Sequence, residues 1–449
     1  MPTSKTAPPV SGPTTPGAYF LSLTVENVRC FGPAQTLDLS DRHGRHAPWT
    51  VILGENGLGK TTLLTCLAAI ASIRYPIEDA DEQETNARTF HVWEGIKVAT
   101  LPRGSGSGLG RIQAAVIFSD RSQETVEVKI GRPGSAGVRG AFTRIFGHEL
   151  VRLRQLLCFH YGASRRMPEA ETLADEQQRA GMFLDDDVAL RDPENWLLRA
   201  DYNVRLRGPD AERFASFARR VQDALISILP EVADIRIQAA EAPGGSPRVE
   251  TRTPDGWVPL RRLGFGYQSQ IAWLVDFASR MFERYPDSPD PLAEPAVVLV
   301  DEVDLHMHPR WQRQVVRYLT ERCPNTQFIV TAHSPLVVQA AADANIVLLR
   351  REGDHVVIDN DPEVLSNWRV DQILTSELFG LDSARPPQIE APLKERRALL
   401  AKPRLTGRDR ARLAELEAQI GELPAGESAE DRRAMELIRR AAARLQRTT

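Results

Sequence analysis

Between Tyr19 and Ser40 apolar and polar positions alternate. In LSLTVENV, Leu21, Leu23 and Val25 fall on one face and Ser22, Thr24 and Glu26 on the other, and TLDLS at 36–40 repeats the period of two, so a two-stranded unit is predicted. The uniformly apolar WTVIL at 49–53 reads as the next strand, and KTTLLTCLAAI at 60–70 spaces its leucines and alanines as a helix. AAVIF at 114–118 and TVEVKI at 125–130 predict another antiparallel pair, after a flexible GSGSGLG loop at 104–110. From about 167 to 260 the pattern is that of an inserted helical segment: residues 208–229 carry Phe214, Phe217, Val221, Leu225 and Ile228 at helical spacing and end at a proline, and strand-like DIRIQAA and PRVETR follow. Val297 to Val300 and, in QFIV at 327–330, Phe328 to Val330 are again apolar runs, as strands buried on both faces of a sheet require. The fold class is therefore α/β, a mixed sheet flanked by helices.

The C-terminal stretch has a different rhythm. TGRDRARLAELEAQIGELP begins with a Thr406 to Asp409 capping pattern and places Leu413, Leu416, Ile420 and Leu423 at three-four spacing; SAEDRRAMELIRRAAARLQ, capped by Ser428, runs an apolar line through Met435, Ile438, Ala442 and Leu445. A helical hairpin over 391–449 is predicted, and because one short hairpin is marginal alone it has to pack on the head, a dimer mate or another protein. At the other end, residues 1–17, rich in proline, serine and threonine, read as a disordered arm, which leaves 18–390 as the main domain.

Composition narrows this picture only slightly. The chain has 449 residues and a net charge of −4, so no global basic footprint points to nucleic acid, and contact with DNA or RNA would need a local patch. Cys30, Cys66, Cys158 and Cys323 are too scattered for a CxxC pair and read as reduced thiols of a cytoplasmic protein. No run approaches the ~18 apolar residues of a membrane span, and the N-terminus lacks the apolar centre of a signal peptide.

The chemistry begins between the strand at 49–53 and the helix at 60–70. GENGLGKTT, that is Gly54, Glu55, Asn56, Gly57, Leu58, Gly59, Lys60, Thr61 and Thr62, fits GxxxxGK[ST] in the required strand–loop–helix context. Gly54 and Gly59 let the backbone turn its N–H groups toward phosphates, the helix N-terminus adds positive potential, Lys60 reaches the β- and γ-phosphates, and the Thr61 hydroxyl is placed for Mg²⁺. A second constellation closes the strand at 297–300: Asp301 is placed to hold Mg²⁺ through water, and Glu302 to orient and deprotonate an attacking water. Adjacent acids can merely end a strand, but paired with a phosphate loop they read as Walker B. Thr331, His333 and Ser334 follow the strand at 327–330, where His333 matches a switch histidine that senses a γ-phosphate. In LGFGYQ, residues 263–268, Gly264, Gly266 and Gln268 precede a helix with Ile271, Leu274, Val275 and Ala278 on one side; this is either a second anion site or an ordinary turn.

The order of phosphate loop, LGFGYQ, VVLVDE and TAHS resembles ABC-type ATPases, specifically the soluble branch containing structural-maintenance-of-chromosomes, RecF-like and overcoming-lysogenization-defect ATPases. The resemblance spans roughly residues 19–350; VENVRCFG is similar to the segment that opens such heads, and YGASRR at 161–166 resembles another recurrent stretch. It implies that Lys60, Thr61, Asp301, Glu302 and His333 bind ATP and Mg²⁺ and hydrolyse ATP. It also implies a homodimer in which each LGFGYQ turn caps the ATP of the other subunit. The usual signature serine falls at Gly264, which removes a hydroxyl contact and implies slow turnover, an ATP switch more than a motor.

Two tempting motifs are set aside. Asp304, His306 and His308 have DxHxH spacing, but no cysteine or further ligand group stands near them for zinc, and the family resemblance makes the segment a dimer-contacting loop. Asp359 and Asp361 in IDNDP mimic a Toprim nuclease pair, but helical sequence follows almost at once and a polar turn suffices, so no intrinsic nuclease is expected. WRVDQILTSELFGL at 368–381 with the helical tail resembles the ATPase subunits of Septu-like and retron-associated antiphage systems, which implies a separate nuclease of HNH type as partner. Two other readings stand beside it. One is a RecF-like genome-maintenance ATPase touching DNA through Arg29, Arg165 and Arg166; the other is a nucleotide-locked scaffold with little turnover.

Overall fold

The computed structural model describes residues 13, 15–71, 110–130, 150–165, 190–205, 211–228, 232–239, 247–341, 343–362, 368–381, 383–402 and 406–420. The GSGSGLG loop up to residue 109, Arg166 and the helix expected over 428–446 lie outside them. In chain order the strands are β1 (Ala18–Glu26), β2 (Gln35–Asp38), β3 (Trp49–Leu53), β4 (Gly110–Phe118), β5 (Gln123–Ile130), β6 (Cys158–Tyr161), β7 (Asp234–Gln238), β8 (Arg248–Thr253), β9 (Gly256–Pro259), β10 (Ala296–Val300), β11 (Thr326–Thr331), β12 (Asn345–Glu352) and β13 (His355–Asp359). The helices are α1 (Lys60–Ala71), α2 (Pro193–Arg205), α3 (Ala211–Ile228), α4 (Phe265–Arg284), α5 (Pro309–Gln312), α6 (Val315–Arg322), α7 (Pro335–Ala340), α8 (Val370–Leu374), α9 (Pro387–Leu400) and α10 (Gly407–Ile420).

The central sheet has the order β13-β12-β3-β11-β10-β6, parallel except for β13 at its edge. Its strands alternate their side chains between two cores. Val51, Val298, Val300, Phe328 and Val330 face Trp273 and Phe277 of α4, while Ile52, Val297, Leu299 and Ile329 face Leu63 and Leu67 of α1 with Phe20 and Phe31. This two-sided burial is why β10 is solidly apolar and β11 has the apolar centre Phe328–Val330. The antiparallel sheet β2-β1-β4-β5 shares the second core, and Gln327 joins the two sheets by accepting from the Phe20 N–H (2.9 Å) and donating to its carbonyl (2.8 Å).

The inserted segment is less helical than its pattern suggests. Beside α2 and α3 it holds the three-stranded antiparallel sheet β7-β8-β9, with Val221, Leu225, Ile235 and Val249 in the first core. Of the residues expected to form an arm, Thr15 and Gly17 are hydrogen-bonded to the domain. Thr15 N–H donates to Glu294 (3.1 Å), Gly17 N–H donates to the Ser119 hydroxyl (2.7 Å), and Ser119 N–H returns to the Gly17 carbonyl.

The chain divides into two compact units, 1–373 with 377–379 and 374–376 with 380–449. In the second, α10 pairs with α9, so the hairpin among the described residues joins 387–400 to 407–420, and the stretch after Ser428 lies outside those residues. Leu399, Leu413 and Leu416 are buried together, and Arg412 forks onto Glu395 at 2.8 Å. Proline hides α9 from a pattern reading: Pro387 opens the helix, where a missing N–H costs nothing, and Pro392 lies within it. The Thr406–Asp409 box is formed reciprocally, Asp409 N–H to the Thr406 hydroxyl (3.2 Å) and Thr406 N–H to the Asp409 carboxylate (2.9 Å). No helix among the described residues is long and apolar enough to cross a membrane.

Candidate functional site

Because the strands are parallel, the carboxyl ends of β3, β6, β10 and β11 meet along one edge, where open α/β sheets collect ligands. Gly54, Gly57 and Gly59 have φ of 143°, 80° and 90°, conformations that side chains resist. A Cβ at Gly59 would stand 2.4 Å from Cys30 Sγ and 2.9 Å from Phe31, so the loop rests directly on the VRCFG turn that joins β1 to β2. Glu55 and Asn56 are exposed at the tip, while Leu58 turns inward. Arg29 of the same turn donates to the Thr62 hydroxyl at 3.4 Å.

Lys60 is almost wholly buried, and its ammonium curls back to the carbonyls of Gly54 (2.7 Å) and Glu55 (3.0 Å). Burial draws the ammonium below its ordinary range, against the pull of Asp301, Glu302 and Asp304. Thr61 donates to one Asp301 oxygen at 2.5 Å and Thr331 to the other at 2.5 Å. Helix α1, β10 and β11 thus converge on a single carboxylate. Thr61 and Asp301 offer a pair of oxygen donors from different elements, which suits a hard divalent cation such as Mg²⁺.

Glu302 sits in the left-handed region with φ 49°, and its N–H donates to the Thr331 hydroxyl at 2.7 Å. Among the described residues no hydrogen bond to its carboxylate is seen, which leaves that group available to a water. Beyond it, Asp304 accepts from the His333 backbone N–H (2.9 Å), and His308 caps α5 by accepting from the Arg310 N–H. These contacts give Asp304 and His308 structural duties within the DLHMH loop. The His333 side chain is exposed at the same edge, and Ser334 caps α7.

Gly264 is the N-cap of α4. Gln268 donates to the carbonyls of Arg261 (3.0 Å) and Leu263 (2.7 Å), so its amide braces its own turn. Among the described residues, no hydrogen bond joins this turn to residues 54–62 of the same chain. It meets the loop after β10 instead: a Cβ on Gly266 would lie 2.3 Å from the His306 carbonyl oxygen, and the exposed Phe265 ring stands edge-on to His306 at 4.9 Å. Gly266→Ala is expected to cost about 1–3 kcal/mol, read as a lower urea midpoint, because backbone blocks the new methyl. Gly264→Ala, whose Cβ would meet only Tyr267 at 4.0 Å, is the control and should cost under about 1 kcal/mol.

One residue has a different place from the one its sequence suggested. Arg165, a candidate DNA contact, is 5% exposed and points into the protein, donating to the carbonyls of Asp301 (2.5 Å) and Glu302 (2.7 Å). It is unavailable to a phosphate backbone. The sequence singles out Thr331 and Arg165 but not these roles, because a threonine at a strand end and an arginine after one carry no local signal of what they bond.

Residues 49–339 match the family model described as "AAA domain, putative AbiEii toxin, Type IV TA system". The chain is 25% identical over 354 residues to the Septu protein PtuA of Bacillus mycoides (strain KBAB4), covering 78% of this chain and 43% of that one. It is 31% identical over 170 residues to the "Retron Ec83 probable ATPase" of Escherichia coli, covering 37% and 29%. The chain therefore spans less than half the length of these two relatives. Among solved structures, the SMC head domain from Thermotoga maritima aligns with 77% of the chain and 99% of its own at 17% identity and TM-score 0.40, and the recombination mediator protein RecF with 76% and 98% at 10% identity and TM-score 0.42.

Proposed function

This chain belongs to the AAA-domain family that its residues 49–339 match, and from that premise we propose that it is an ABC-type ATPase head of an antiviral defence complex. It binds ATP, closes as a homodimer around it, hydrolyses it slowly and controls a separate nuclease of HNH type. The observation that carries the ATPase part is the convergence of Thr61 and Thr331 on the two oxygens of Asp301, with Lys60 beside them and Glu302 next in the chain.

Each group then has one task. The loop N–H groups and Lys60 bind the phosphates, and Thr61 and Asp301 would hold Mg²⁺, whose charge offsets that of the phosphates. Glu302 orients the attacking water and takes its proton, and His333 senses the γ-phosphate. Gly264 supplies backbone but no hydroxyl to the partner's ATP, hence the slow turnover. The defence role is supported by the Septu and retron names of the relatives and by the resemblance of 368–381, and Phe265 with His306 offers an exposed contact for the dimer.

The test is mass spectrometry of whatever co-purifies with the tagged full chain from its own host at moderate salt, beside a nuclease-treated control. A stoichiometric nuclease subunit is expected. DNA without a protein partner would replace the defence reading with genome maintenance, for which the burial of Arg165 removes one of three proposed contacts.

A further inference from the structure

Glu302 adopts a backbone conformation that non-glycine residues avoid, and such a residue persists only where its surroundings hold it on every side. Here both flanking peptide groups are pinned. In the one before Glu302, the Asp301 carbonyl accepts from Arg165 Nη1 (2.5 Å) and the Glu302 N–H donates to the Thr331 hydroxyl (2.7 Å). In the one after it, the Glu302 carbonyl accepts from Arg165 Nη2 (2.7 Å) and the Val303 N–H donates to the Thr331 carbonyl (2.9 Å). Thr331 and Arg165 together fix φ and ψ of Glu302.

Arg165 is in turn tied to α4. Its own carbonyl accepts from the Ser269 hydroxyl (3.1 Å), in the second turn of that helix, while Nη1 also reaches the Gly162 carbonyl (3.1 Å). The same end of α4 touches the loop after Glu302 twice more, through Gln270 donating to the Leu305 carbonyl (3.3 Å) and through Gly266 against the His306 carbonyl.

A guanidinium is an expensive way to fill this position. Arg165 is buried, its Nε has no hydrogen-bond partner among the described residues, and burial draws its pKa down to about 10, with Asp301, Asp304 and Glu302 opposing. What it uniquely supplies is a planar fork whose two ends reach two successive carbonyls, which a lysine's single ammonium cannot span.

We propose that Arg165 is a positioning residue that holds Glu302 in its water-activating orientation and couples that orientation, through Ser269, to the seating of the α4 N-terminus. The inference rests on the ATPase reading above. It makes a movement of the Gly264–Gln268 turn felt at the general base, so the turn that meets a second copy also sets whether hydrolysis proceeds.

The test compares full-length wild type, Lys60→Ala, Glu302→Gln, Arg165→Lys, Ser269→Ala and the double variant Arg165→Lys/Glu302→Gln. Steady-state ATP hydrolysis, Kd for a non-hydrolysable ATP analogue and thermal melting are measured on each. Arg165→Lys is expected to lower kcat by about 100-fold with the analogue's Kd unchanged, the scale set by a misplaced catalytic group. Ser269→Ala is expected to lower kcat roughly five-fold, again at constant Kd, and it decides the matter should Arg165→Lys not fold. The double variant should be no slower than Glu302→Gln alone, since Arg165 acts through that carboxylate. A kcat within two-fold of wild type in both Arg165→Lys and Ser269→Ala, a Kd that weakens in step with kcat, or additive losses in the double variant overturns the inference while leaving the ATPase reading intact. Absence of Lys60-dependent hydrolysis in the wild type overturns the ATPase reading, and the inference with it.

Discussion

Lys60→Ala is expected to weaken ATP binding by at least about 100-fold, measured by calorimetric titration with a non-hydrolysable analogue. A unit charge about 4 Å from a phosphate charge at an effective dielectric near 20 is worth roughly 4 kcal/mol, about three decades in Kd before solvent and salt reduce it. The ammonium already sits inside the loop, on the Gly54 and Glu55 carbonyls, so no large motion is needed to present it. The fold should survive: Glu55 is exposed and Gly54 partly so, leaving both carbonyls within reach of water once the lysine is gone. An unchanged melting curve with lost binding is the expected pair of results. Unchanged binding would remove the loop from the site.

Glu302→Gln is expected to keep ATP affinity while lowering kcat by about 10²–10⁴-fold, the range for loss of a general base. The backbone there is held by Arg165 and Thr331 through peptide groups, which the substitution leaves in place, so the amide should occupy the carboxylate's position. Glutamine can still hydrogen-bond a water but cannot accept its proton. ATP should therefore accumulate uncleaved, and with it the dimer, visible as a doubled mass by light scattering with ATP and as monomer without it. Wild-type turnover no faster than that of this variant would instead support a nucleotide-locked scaffold.

The parts of this site that motif reasoning identified are those written in adjacent residues. GENGLGKTT is a contiguous loop whose glycines have the positive φ its geometry needs, and VVLVDE places two acids directly after a buried strand. The alternation at 19–26 and 35–40 predicted β1 and β2 for the same reason: side chains two apart must share a face. Where the reading failed, the information lay across the chain. Arg165 resembled a DNA contact because an arginine pair after a strand is ordinarily exposed, yet two of the carbonyls it binds are more than 130 residues away. The 387–400 helix was hidden by Pro387, at its first residue, and Pro392, within it, which break a helical pattern on paper.

What the sequence by itself determined about this protein is its local pattern: a glycine-rich loop with Lys60 and Thr61, the Asp301–Glu302 pair and the strands that carry them. The tertiary structure decided how those pieces meet. Strand β11 pairs between β3 and β10, an order that the apolar centres of these strands do not specify, because each strand is buried along its whole length and its apolar centre would fit any interior position. That order sets Thr331 where it can bond Asp301 and Glu302, and the pairing of β6 with β10 sets Arg165 beneath both carbonyls. Parallel neighbours need long crossovers, so these contacts depend on residues far apart in the chain and only the packed core brings them within reach.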